Sequence, residues 1–169
     1  MVKLQRAKGS NKVSKEKASK VKGAHILVVE SRFYEDISDE LFDGAKRALE
    51  GASATFERVT VPGSLEIPTA IQIALDGAEK ARKPYDGVVA LGCVVQGETF
   101  HFDIVAMQSA RALLDIGIQR RMPIGNGILT VDTMEQAWAR ARLTDGDKGG
   151  DAARAALALL AVKRERSKR

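Results

Sequence analysis

The chain has 169 residues, 44% of them hydrophobic, 29% charged and 5% aromatic, which suits one domain with a sizeable core rather than two. A single cysteine leaves no disulfide framework, no apolar leader opens the sequence, and no apolar run approaches the roughly 18 residues of a membrane span, so a soluble protein of the reducing cytoplasm is expected. The net charge of +5 is unevenly placed, with +7 on residues 1–22, +4 on residues 163–169 and −6 between them, which argues against a basic nucleic-acid groove across the fold.

Residues 1–22, rich in Lys and Ser and without periodicity, read as a disordered basic arm. The folded domain is expected over 23–163, with 164–169 a basic tail. Ala24 to Glu30 is a nearly continuous apolar run, the pattern of a strand buried on both faces of a parallel sheet. Ser38-Asp39-Glu40 then reads as an N-cap and acidic first turn, with Leu41, Phe42, Ala45, Ala48 and Leu49 on one face of a helix ending near Gly51. Thr55 to Val61 predicts a second strand, stopped by Pro62-Gly63, and a helix follows Pro68 with Ile71, Ala74, Leu75 and Ala78 inward.

Gly87 to Val95 reads as the third strand, Phe102 to Ile116 as the next helix and Ile124 to Val131 as the fourth strand. Asp132-Thr133-Met134-Glu135 has the form of a capping box opening a helix through Arg142, and Asp151 to about Lys163 forms an Ala/Leu-rich last helix. Alternating strands and helices predict an α/β fold: a flavodoxin-like, three-layer α/β/α sandwich on a four-stranded parallel sheet. Ligands of such sheets bind beyond the carboxyl ends of the strands, in the loops after residues 30, 61, 95 and 131.

Three of those loops are unusual. The first holds Arg32-Phe33-Tyr34, the second Pro62 to Pro68, and the third Gln96 to His101. In Gly97 to Asp103 a Gly-rich strand-to-helix turn offers backbone N–H groups, the Thr99 hydroxyl and the His101 imidazole together, a place to hold an anion and move protons beside it. His25, the other histidine, opens a strand without such neighbours and reads as structural. Cys93, inside the third strand, is either a small core residue or a reactive thiol, the former by its apolar setting.

Phe33 after the first strand, PGSLEIP at 62–68, GCVVQGETFHFD at 92–103, TVDTMEQAWARA at 130–141 and DKGG at 147–150 occur in one order. Together they resemble the lumazine synthases of riboflavin biosynthesis, over nearly everything from residue 24 to 162. The resemblance implies condensation of 5-amino-6-ribitylamino-pyrimidinedione with 3,4-dihydroxy-2-butanone 4-phosphate, releasing phosphate and water without a metal or organic cofactor. It further implies that His101 transfers protons and that Arg140 grips the phosphate, beside Glu98 and Thr99 of the phosphate loop. Glu66 would bind the ribityl hydroxyls in a turn shaped by Gly63, Ser64, Leu65 and Ile67. Phe33 would stack on the heterocycle, Cys93, Val94 and Val95 would line its pyrimidine, and Lys148 would lie near that ring.

Arg142, roughly 200° around a helix from Arg140, cannot share its face. Two positions depart from the family pattern: Asn126 stands where many members carry an aromatic, and Gln96 where Arg is frequent. The resemblance also implies a homopentamer with sites between adjacent subunits, Asn126 and Arg140 coming from the neighbouring chain. The turn Arg142 to Asp147 departs from the pattern of the larger shells. Riboflavin synthase is the implied functional partner, and neither membrane nor nucleic acid is expected. Two competing readings remain at this point: a catalytically weak paralogue that binds lumazine or riboflavin, resting on Asn126, and a nucleic-acid-binding domain, resting on the basic tails.

Overall fold

The structure is a computed structural model that describes residues 21–167. Its elements are β1 (His25–Ser31), α1 (Glu35–Gly51), β2 (Thr55–Val61), α2 (Glu66–Lys80), β3 (Gly87–Val95), α3 (His101–Arg120), β4 (Ile124–Val131), α4 (Met134–Ala141) and α5 (Lys148–Arg166). The four strands form one parallel sheet in the order β2-β1-β3-β4. Residues 1–20 of the expected arm and 168–169 of the expected tail lie outside the described residues. Packing reaches back to Val21, which is buried in the core.

The apolar runs of β1 and β3 are buried because both faces of the sheet are covered. Side-chain alternation sends Ile26 and Val28 to one face and Leu27 and Val29 to the other. On the first face Ile37, Leu41, Ala45 and Leu49 of α1 pack with Ala137 and Ala141 of α4 and with Ala152, Ala156 and Leu160 of α5. On the second, Ile67, Ile71 and Leu75 of α2 meet Leu113 and Ile116 of α3. The result is the three-layer, flavodoxin-like sandwich expected from the sequence.

Helix starts differ from expectation, each for a local reason. Helix α1 begins at Glu35, so its acidic first turn is Glu35 and Asp36. Ser38 is therefore no cap: its hydroxyl donates to the carbonyls of Ser31 at 2.7 Å and Tyr34 at 2.9 Å, fixing the helix to the end of β1. Pro68 lies inside the first turn of α2, where its missing N–H has no intrahelical partner to lose. The box at α4 is built from Thr133, whose Oγ1 accepts the Gln136 N–H at 3.3 Å, and Gln136, whose Oε1 accepts the Asp132 N–H at 2.9 Å.

Helix α5 starts at Lys148, three residues before the expected Asp151, with the Asp147 carboxylate accepting the Gly150 N–H at 3.2 Å. Gly149 and Gly150 look like helix breakers in the sequence, yet here glycine lets backbones touch. A Cβ on Gly149 would stand 1.8 Å from the Leu41 carbonyl oxygen, and one on Gly125 of β4 would stand 1.8 Å from that of Ala152. These contacts press α5 onto α1 and onto the sheet.

Gly149→Ala should therefore cost about 3 kcal/mol or more, the upper end of overpacking penalties, read as a lower denaturation midpoint. Unchanged stability would mean that α1 and α5 can separate without loss.

Candidate active site

A cavity of about 480 Å³ opens at the carboxyl ends of β1, β2 and β3, where an open parallel sheet places its ligands. The β1 to α1 turn supplies Phe33 and Tyr34. Phe33 is 70% exposed, and its ring meets that of Tyr34 edge-on at 4.9 Å. Its backbone is held by its neighbour, since the Arg32 N–H donates to the Val61 carbonyl at 2.9 Å.

The turn from β2 into α2 supplies Gly63, Ser64, Leu65 and Glu66. Gly63 matters here by its missing side chain: a Cβ there would stand 2.8 Å from Glu66 Oε2, so the carboxylate folds back over the turn. Ser64 is buried, its hydroxyl 3.4 Å from that of Ser31. Ile67 lies fully buried in the core beneath, so it supports the turn from below.

From β3 come Cys93, Val94 and Val95, and from the segment entering α3 come Gly97, Thr99 and His101. His101 is the first residue of α3 and exposed; its N–H donates to Thr99 Oγ1 at 3.4 Å. The N-cap residue Phe100 makes no side-chain hydrogen bond, while its carbonyl accepts the Asp103 N–H at 3.1 Å, and the positive end of the α3 dipole faces the cavity mouth where an anion is favoured. Glu98 is exposed and outside the cavity lining. Gln96 also points outward, with Nε2 on the Gly97 carbonyl at 3.2 Å. Burial pushes the Cys93 thiol up to about 11, so it is neutral at ordinary pH.

Asn126, Lys148 and Arg140 lie elsewhere on the chain. Asn126 is exposed on β4, its Oδ1 accepting the Ile128 N–H at 2.9 Å. It shares a second recess of about 310 Å³ with Lys148 and Asp151. The Lys148 ammonium is 3.1 Å from Asp151. Partial burial pushes the Asp151 carboxyl up, but hydrogen bonds from Arg154 and Lys148 outweigh it and hold the group below the usual carboxylate range. Arg140 is exposed on α4, with Nη1 donating to the Gln136 carbonyl at 3.1 Å.

Tyr34, Pro62 and Phe102, which the sequence placed in these loops and motifs without a role, and Val105, which it did not single out, also line the cavity. Tyr34 adjoins Phe33, Pro62 and Phe102 adjoin Gly63 and His101, and Val105 lies one helical turn beyond His101, an adjacency that was the available signal. Among the described residues no three His, Cys, Asp or Glu side chains gather as metal ligands, and no helix is long and apolar enough to cross a membrane.

Residues 23–164 match the family model of 6,7-dimethyl-8-ribityllumazine synthase. The chain is 61% identical over 148 residues to 6,7-dimethyl-8-ribityllumazine synthase 1 of Rhodopseudomonas palustris, covering 88% of this chain and 91% of that one. It is likewise 61% identical over 148 residues to the 6,7-dimethyl-8-ribityllumazine synthase of Nitrobacter hamburgensis, with the same coverage. With 6,7-dimethyl-8-ribityllumazine synthase 1 of Rhizobium meliloti it shares 61% over 145 residues, 86% of this chain and 95% of the relative. All three carry a synthase name, which favours the enzyme over the binding paralogue.

In the folded protein Cys93 should react with Ellman's reagent at pH 8 roughly a hundredfold or more slowly than in denaturant, because both burial and the raised thiol pKa suppress the thiolate. Comparable rates in the two states would overturn the assignment of Cys93 as an inert wall of the cavity.

Proposed function

Because this chain belongs to the 6,7-dimethyl-8-ribityllumazine synthase family, we propose that it condenses 5-amino-6-ribitylamino-pyrimidinedione with 3,4-dihydroxy-2-butanone 4-phosphate to give 6,7-dimethyl-8-ribityllumazine, phosphate and water. The observation that carries this is the gathering of Phe33, Glu66, Thr99 and His101 around one cavity. The substrate amine bonds to the ketone carbon, whose oxygen leaves as water; phosphate is then eliminated, and the ribityl-bearing amine closes the ring on the remaining carbonyl, whose oxygen leaves as a second water. Each step moves protons and none needs a nucleophile from the protein.

The Phe33 face stacks on the heterocycle, and backbone groups of Val94 and Val95 meet its pyrimidine edge between Leu65 and Cys93. The Glu66 carboxylate accepts hydrogen bonds from the ribityl hydroxyls. The N-terminus of α3, with the Thr99 hydroxyl and the Glu98 backbone, holds the phosphate. His101, beside that anion, takes the proton of the attacking amine and returns it to the leaving oxygen. Arg140 grips the phosphate with its planar guanidinium, while Asn126 and Lys148 approach the pyrimidine.

Those last three residues come from the next subunit in a ring of five. Their separation from the cavity of their own chain supports that arrangement, and so does exposed apolar surface on α3. Phe100, Ile104, Met107, Leu114 and Ile118 are all exposed, along one side of the helix by their spacing. The last two also enter an apolar groove of about 700 Å³ between α3 and α5. The enzyme works in the cytoplasm, and riboflavin synthase consumes its product.

Purified protein given both substrates should form lumazine, followed by absorbance. His101→Ala should lower kcat by about a hundredfold or more, and Arg140→Ala should raise KM for the butanone phosphate. Assembled wild-type protein that forms no lumazine would overturn the proposal. Light scattering on a sizing column should give about 90 kDa, five copies of an 18.2 kDa chain; a monomer or a shell would refute the ring.

A further inference from the structure

Glu30, near the end of β1, is fully buried. Its Oε1 accepts from Arg58 of β2 twice, from Nε at 2.9 Å and from Nη2 at 2.6 Å. Its Oε2 has no hydrogen-bond partner. Arg58 in turn lies over the Phe42 ring of α1, 3.8 Å from the centroid. Arg32, in the β1 to α1 turn, sets Nη1 2.5 Å from Asp39 of α1 and 3.6 Å from Glu30. Arg58 also approaches Asp39 at 3.7 Å. Four charges thus join the ends of β1 and β2 to the first turns of α1.

This arrangement is costly. Burial pushes the Glu30 carboxyl above the usual carboxylate range even with two arginines beside it, and apolar residues of similar volume often fill such a place at no loss of stability. Through Arg32 the network takes hold of the short segment Arg32-Phe33-Tyr34 at its first residue. Phe33 is largely exposed and meets the Tyr34 ring at its edge, so its direction over the cavity depends on how firmly its backbone is held.

We infer that Glu30, Arg58, Arg32 and Asp39 are positioning residues, a charged clamp under the β1 to α1 turn that aims Phe33 at the heterocyclic substrate. Glu30 fixes Arg58, both arginines engage Asp39, and Arg32 carries that restraint to the residue next to Phe33. The substrate half of this inference rests on the function proposed above, while the restraint on the turn does not.

Glu30→Gln keeps the side-chain shape and removes the charge that holds both arginines. In the assembled protein it should raise KM for the pyrimidinedione about tenfold, as expected for a displaced binding group. Kcat and KM for the butanone phosphate should stay within about twofold. Arg58→Lys, keeping one donor, should fall between Glu30→Gln and the parent. Added to Phe33→Ala, Glu30→Gln should cause little further rise, because its effect acts through Phe33. Amide hydrogen exchange over residues 32–35 should quicken in Glu30→Gln with no substrate present.

Equal increases in both KM values, or additive effects with Phe33→Ala, would overturn the clamp as a device for recognition. Unchanged exchange over 32–35 would overturn it as a restraint. If the wild type makes no lumazine, the function fails while the exchange result still judges the clamp. Should Glu30→Gln not assemble, Asp39→Asn at the exposed end of the network must give the same KM split and faster exchange, or the inference is refuted.

Discussion

A parallel sheet hydrogen-bonds its strands to one another but must hide both faces from water, and the rest of this molecule answers that demand. Chain crossovers have to be long, so helices serve as the covers, α1, α4 and α5 on one face and α2 and α3 on the other. Because every strand points the same way, every strand-to-helix turn falls at the same end. Phe33, Glu66 and His101 come together for that reason, although 68 positions separate the first from the last along the chain. The geometry of the cavity here follows from strand direction.

The layer that hides the first face is held by unusually close backbone contacts. Ala137, Ala141, Ala152, Ala153 and Ala156 keep side-chain volume low where α4 and α5 meet the sheet, and glycines at 125 and 149 remove it altogether. Lys148 opens α5 one residue before Gly149, so the same contact that seats the helix fixes where its ammonium projects. Helix packing and the placement of Lys148 share one stretch of sequence in DKGG. The second face carries fewer such contacts and leaves apolar side chains of α3 in solvent.

Most of this fold was legible in the sequence because buried strands announce themselves as apolar runs: Gly87–Val95 and Ile124–Val131 match expectation at both ends. Helix starts were less legible. Ser38 has the chemistry of a cap, but its hydroxyl finds carbonyl partners at Ser31 and Tyr34 that only the tertiary fold creates. Gly149 and Gly150 look like breakers until the neighbouring Leu41 backbone and Asp147 carboxylate are known. For the site, motif residues beyond the first three strands were legible as a group, and their shared cavity follows from topology. The separation of Asn126 and Arg140 from that cavity within one chain was implied by the resemblance, whereas that of Lys148 was not, because DKGG gives no sign of which way the helix start turns. Nor did the apolar run ending at Glu30 reveal a wholly buried carboxylate.

Asn126 has a consequence for the sheet itself. It sits on β4, the outer strand of the sheet, where backbone N–H and C=O groups without a neighbour invite another chain to add a strand. By folding its own side-chain oxygen onto the Ile128 N–H, Asn126 occupies a donor that such an intruder would need. Edge-to-edge growth of the sheet is thereby made less favourable at this position. Contacts between copies of the chain are steered toward side chains and away from open-ended β-pairing, the route to aggregates.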